Sequence, residues 1–153
     1  MDNKKIKLNK KYISSEKFIN KFYGNLVIFC SDERFVEATI EFIKKHTKRA
    51  DFFVIAGGTA FWCLNEKENI NRLRFLIEKH KIKNIYVFAH QDCGFYKYLY
   101  PELTQQEIFY IQISDLIFFK EKIKKEFKQI KKVCLLYIKF ENQKIYFLEI
   151  QQK

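Results

Sequence analysis

Proline and glycine are scarce in this chain, one and four residues among 153. That leaves little material for linkers, and neither an internal repeat nor a low-complexity block is present. Long apolar runs are also missing. The longest, residues 108–119, is interrupted by Gln112, Ser114 and Asp115 and is too short to cross a bilayer. Residues 1–11 are basic but lack the apolar centre of a secretory signal, so a soluble cytoplasmic protein with no membrane partner is expected. Arginine is rare, at four residues, and no nucleic-acid recognition motif accompanies the net charge of +11. The lysines recur at helical spacing, as at Lys120, Lys122, Lys124, Lys125 and Lys128. They are read as a solvated face, with a nucleic-acid-binding surface, motivated by the charge alone, as the sharper alternative.

What is present points to a folded core. Apolar residues make up 48% and aromatics 18% of the chain. At this length one domain is expected, residues 13–153, preceded by a flexible basic arm at 1–12. Four cysteines, Cys30, Cys63, Cys93 and Cys134, suggest thiol or metal roles rather than disulfides in a chain read as cytoplasmic.

Hydrophobic periodicity gives a helix from Ser14 or Ser15 to Tyr23, a strand at 26–30 and a helix at 34–46. A strand at 52–56 follows, apolar throughout, as expected of one covered on both faces. A helix runs from the region of Asn65 and Glu68 to His80, and a strand spans 85–89. Thr104 and Glu107 match a capping box that opens a long helix to about residue 129. Strands at 133–140 and 144–150, joined by a short turn, close the chain, the last as an antiparallel edge. This alternation is the mark of an α/β fold: a largely parallel central sheet of about five strands flanked by helices.

In such sheets the functional crevice lies at the carboxyl ends of the strands. Cys30, Gly57, His90 and Cys93 all fall there. Imidazole and thiolate are ligands that zinc favours, and Cys30, His90 and Cys93 would converge if the strands at 26–30 and 85–89 are parallel neighbours. Three protein ligands leave a fourth position open, the catalytic pattern, in which zinc lowers the pKa of water from about 15.7 to about 7. Asp32 and Arg34 follow the first cysteine closely enough to form a charge-assisted pair. Asp32 then either accepts a hydrogen bond from zinc-bound water or ligates zinc and shuts the site. As a bland alternative it caps the helix at 34–46. Asp92 can accept a hydrogen bond beside the ligands or cap the turn. Gly57-Gly58 makes a tight turn that would allow close backbone approach. Cys63 and Cys134 are read as core, and His46 and His80 as solvated residues at helix ends.

Cys30-x-Asp32-x-Arg34, followed about sixty residues later by His90-x-x-Cys93-Gly94, resembles the zinc-site signature of β-class carbonic anhydrases. The fuller pattern, CSDERF, then Asp51 to Gly58, then HQDCGFY, is closer still to a small branch of carbonic anhydrase-like proteins. The resemblance spans about Leu26 to Tyr96 and extends loosely to the last two strands. It implies a β-carbonic anhydrase-like fold, usually a homodimer or higher homo-oligomer. It also implies zinc held by Cys30, His90 and Cys93, with Asp32 and Arg34 as the catalytic dyad. Gly57, Gly58, Asp92 and Gly94 would serve substrate binding or support the ligands. The implied activity is that of a zinc lyase, in which zinc-bound hydroxide attacks carbon dioxide to give bicarbonate.

Two departures from the family pattern stand out. Val54-Ile55-Ala56-Gly57-Gly58 replaces an Arg-Asn-Ala-Gly-like segment, and the N-terminal part that usually wraps a partner is short. The same site could instead hydrolyse carbonyl sulfide or carbon disulfide, reached by an apolar approach lined by Phe35, Phe61, Trp62, Phe95 and Tyr96. A non-catalytic zinc protein of this fold is the further alternative.

Overall fold

A computed structural model describes residues 10–152. The expected arm at 1–12 lies mostly outside them. The described chain runs β1 (Asn25–Phe29), α1 (Glu33–His46), β2 (Asp51–Val54), α2 (Ala60–Cys63), α3 (Lys67–Lys79), β3 (Asn84–His90), α4 (Gly94–Leu99), α5 (Gln105–Glu126), β4 (Lys132–Glu141) and β5 (Lys144–Glu149). The strands form one sheet in the order β2-β1-β3-β4-β5, parallel except for the antiparallel β4–β5 pair. The α/β architecture expected from the sequence is therefore the one observed. Among the described residues no helix is long and apolar enough to cross a membrane.

Side chains alternate faces along a strand, so a fully buried strand must be apolar at every position. β1 meets that condition from Leu26 to Phe29, and its one polar residue, Asn25, is buried with its side-chain amide donating to Thr47 Oγ1 and the Arg49 carbonyl. Leu26 and Ile28 pack with Leu73 and Ile77 of α3 and Leu116, Phe119 and Ile123 of α5. Val27 and Phe29 pack on the other face with Phe35 and Ile43 of α1. Helix boundaries follow their caps. Asp32 accepts from the backbone N–H of Arg34 at 3.1 Å and opens α1. Thr104 and Glu107 form the expected capping box at the start of α5.

Several sequence expectations are corrected. The helix at 14–23 is absent: Ser14 Oγ accepts from the N–H of Glu16 in a local turn instead. Phe18, Ile19 and Phe22 remain exposed, and a short helix with no core to cover its apolar face is marginal in water. β2 is not covered on both faces. It is an edge strand, and Phe52 and Val54, on the α1 side, are each 46% exposed because α1 does not reach over that edge. Residues 60–63 form the short helix α2, which the sequence reading passed over. Asn65 then takes a left-handed conformation, so α3 starts at Lys67. The aromatic stretch after His90 is helix α4. His80 is not simply solvated: its Nδ1 lies 2.7 Å from Asp51 Oδ2, and its ring stacks on Phe22 at 3.8 Å.

Candidate metal centre

β1 and β3 are parallel neighbours, with Ile28 opposite Val87, so Cys30 and Ala89 follow level with each other at the carboxyl ends. His90 ends β3, and Cys93 is the N-cap of α4. The donor atoms of Cys30, His90 and Cys93 lie within 4.8 Å of one another in a group that could hold a metal ion, and all three residues are buried. The two sulfurs are 4.0 Å apart. A tetrahedral centre with Zn–S bonds of about 2.3 Å requires about 3.8 Å, so the thiol spacing fits.

The imidazole is prepared in the same way. His90 Nδ1 lies 2.8 Å from the carbonyl oxygen of Gln91, so Nδ1–H donates there and the Nε2 lone pair is free. Nε2 is buried and has no hydrogen-bond partner in the protein. An unsatisfied buried acceptor of this kind needs an explanation, and a metal ion supplies one. Buried Gln112 on α5 donates to the carbonyl of His90 at 3.0 Å, and Phe35 packs against the imidazole with ring centroids 4.5 Å apart.

The two sulfurs, in contact, act on each other in opposite directions. A hydrogen bond from Cys93, with smaller contributions from His90 and Gly57, favours the Cys30 thiolate against its burial. That neighbouring sulfur, and burial, push the Cys93 thiol up. The Gly57 N–H donates to Cys30 Sγ at 3.3 Å. Gly57 has φ +77°, and a Cβ there would lie 2.3 Å from Phe95 Cδ1. Gly58 has φ +58°, and its Cβ would meet the carbonyl oxygen of Phe88 at 3.0 Å. Both conformation and space thus require glycine at this pair. At Gly94 an added Cβ meets nothing within 4 Å, so packing makes no demand there.

Beside the ligands, Arg34 grips Asp32 with two parallel hydrogen bonds, Nε to Oδ1 at 2.9 Å and Nη2 to Oδ2 at 2.7 Å. The guanidinium holds the Asp32 carboxyl below its ordinary range. Asp32 Oδ2 is 4.0 Å from His90 Nε2, yet Asp32 is not among the three clustered donors. Asp32 both caps α1 and pairs with Arg34, so the cap and the charge-assisted pair coexist. Asp92 has φ +60° and accepts hydrogen bonds from Arg34 Nη1 at 3.1 Å, from Lys97 and from Gln105 at 2.8 Å. Lys97, then Arg34, hold its carboxyl down to about 2.

Cys63 and Cys134 lie outside the cluster, and burial raises them to about 12 and about 11. Of the aromatics expected to line an approach, Phe61 and Trp62 belong to the larger core, while Phe35 is against His90 and Phe95 against Gly57. Tyr96 is buried, with its hydroxyl donating to Asp115 at 2.6 Å. Gln105, Gln112 and Lys97 escaped the sequence reading. Gln112 had a visible signal, a polar residue inside the apolar face of α5.

No protein-family model and no curated protein sequence matches the chain. Solved structures do. The β-carbonic anhydrase CcaA aligns with a TM-score of 0.50 and 16% identity, over 87% of this chain and 80% of that one. A carbonic anhydrase from Glaciozyma antarctica aligns at 0.49 and 16%, over 83% and 82% of the two chains. A β-carbonic anhydrase isoform from Trichomonas vaginalis aligns at 0.47 and 17%, over 88% and 87%. The CcaA alignment shows that this chain has a fold like that of a β-carbonic anhydrase, in agreement with the resemblance carried by its motifs.

Proposed function

We propose that the protein is a zinc lyase of the β-carbonic anhydrase type, hydrating carbon dioxide to bicarbonate in the cytoplasm as a homodimer or higher homo-oligomer. The observation that carries this reading is a buried Cys-His-Cys cluster with an unpartnered imidazole nitrogen, beside a carboxylate gripped by an arginine. Cys30, His90 and Cys93 would hold the metal. Bound there, zinc supplies the Lewis acidity that makes water reactive near neutral pH.

The chain's own residues do the rest. Ionised Asp32 accepts a hydrogen bond from the attacking water and orients it. The water oxygen bonds to the carbon of carbon dioxide, and one proton leaves to solvent. Arg34 keeps Asp32 in place and offsets the negative charge of bicarbonate. The Gly57 N–H steadies the Cys30 thiolate, Gly58 allows the loop to approach β3, and Gly94 opens the helix that Cys93 caps. Asp92 holds Arg34 from its far side. Exposed Phe18, Phe52 and Val54 support a subunit contact.

The test is stopped-flow carbon dioxide hydration with protein of verified zinc content, across about pH 6.5 to 9. Zinc-dependent hydration that rises with pH and is lost in Asp32→Asn is expected. A zinc-replete sample without hydration would overturn the substrate and direct attention to carbonyl sulfide or carbon disulfide. A purified chain that takes up no metal would overturn the site.

A further inference from the structure

We infer that Asp92, braced by Lys97 and Gln105, is a positioning residue whose task is to keep Asp32 off the metal and so hold the fourth coordination position open. The inference rests on the metal reading above but not on the identity of the substrate.

Asp32 is near enough to interfere: its Oδ2 is 4.0 Å from His90 Nε2, and a carboxylate is an acceptable zinc ligand. What restrains it is Arg34, which engages both Asp32 oxygens. Arg34, however, starts the solvent side of α1, and its side chain is 50% exposed. An exposed pair of this kind is ordinarily weak, because two long side chains must be held in one geometry against water. Here the guanidinium is fixed from the opposite side as well. Its Nη1 donates to Asp92 Oδ2 at 3.1 Å and its Nη2 to the Asp92 carbonyl oxygen at 3.1 Å. Asp92 in turn is fixed by Lys97 from α4 and Gln105 from the first turn of α5, both on Oδ1. Three helices thus converge on one carboxylate.

The backbone of Asp92 points the same way. It adopts φ +60°, a left-handed conformation that few residues besides glycine, asparagine and aspartate take readily. Glycine or asparagine would satisfy the turn, but neither supplies a charged acceptor with an oxygen for each side of the bridge. Arg34 is therefore held between two carboxylates, one it restrains and one that restrains it.

The experiment measures zinc release to a chelator, which needs no turnover. In Asp92→Gly, which suits φ +60° and deletes the brace, Asp32 becomes free to ligate as a fourth protein ligand and zinc release becomes slower than in the unaltered protein. Asp92→Asn, which keeps an acceptor without the charge, falls between Asp92→Gly and the unaltered protein. Adding Asp32→Asn to Asp92→Gly abolishes the slowing, because the new ligand is gone. Cobalt-substituted Asp92→Gly shows an absorption spectrum altered by the added oxygen ligand, also reversed by Asp32→Asn. Unchanged release in Asp92→Gly, or a change that persists with Asp32→Asn, overturns the inference. Failure of the unaltered protein to bind zinc would instead overturn the metal reading, with this inference falling alongside it.

Discussion

At the carboxyl ends of β1 and β3, Cys30, His90 and Cys93 are buried and face one another, with Asp32, Arg34, Asp92, Lys97 and Gln105 hydrogen-bonded around them. At the amino ends of the same sheet lysines predominate and lie in water, with Asp51 against His80 as the acidic exception. There a cleft of about 410 Å³ is lined by Lys21, Lys79, His80, Lys81 and Lys83 together with Phe22 and Tyr23. Lys131 and Lys132 stand exposed nearby, at the start of β4. One end pairs opposite charges and buries its ligands. The other carries mostly lysines, spread outward where solvent screens them. The net charge of +11 therefore describes the scaffold rather than the site. The most chemically specific residues are those that contribute least to it.

Substitution at each end tests that contrast. The largest effect is expected for His90→Ala and Cys93→Ser, which lower zinc from about one per chain to a trace in a metal assay, while Cys63→Ser and Cys134→Ser leave it unchanged. Equal zinc in all four variants would remove the distinction between the cysteine pairs. Next comes Asp32→Asn, which keeps the metal and lowers hydration by about 10²- to 10³-fold in stopped flow. Loss of the metal in that variant would make Asp32 a ligand.

A smaller effect concerns acid stability. The folded-state carboxyl of Asp92 is held at about 2, below its ordinary value of 3.8. Its contribution is thus fully present above about pH 4 and fades as pH falls toward 2. Asp92→Asn should flatten that part of the stability–pH curve, as read by denaturant unfolding between pH 5 and 2. An unchanged slope would mean that the brace contributes nothing to folding. The smallest change is expected at the amino end. Lys79→Gln, Lys81→Gln and Lys83→Gln combined should leave zinc content unaltered and move stability by no more than about 0.5 kcal/mol. Any gain from reduced self-repulsion should vanish in high salt. Zinc loss in this variant would show that the two ends are coupled.

Much of this architecture is legible along the chain. The strand at 26–30 reads as one from its unbroken apolar run between Gly24-Asn25 and the polar Ser31-Asp32, and the capping box at Thr104 marks the start of α5. Cys30, Asp32, Arg34, His90 and Cys93 announce themselves by residue type, spacing and position at strand ends. What misled was local pattern without a partner. Residues 14–23 carry helical periodicity but have no surface on which to bury it. Phe52 to Val54 is as apolar as a central strand, yet it forms an edge.

The sequence by itself determined the order of the strands and of the long helices α1, α3 and α5, the glycine pair that turns at left-handed φ, and the identity of the donor atoms. These depend on periodicity, backbone sterics and ligand chemistry, all encoded within a few residues. Only the tertiary structure decided that Cys30 and Cys93, 63 positions apart, stand 4.0 Å from each other, because strand order is set by packing on both faces of the sheet. It alone brought Gln105 and Lys97 from separate helices onto Asp92, and it alone freed the Nε2 of His90 by giving its Nδ1 to a backbone carbonyl. Some of these contacts, like that of His90 with Gln91, are between neighbours, but each depends on side-chain orientations that packing sets and no local pattern specifies.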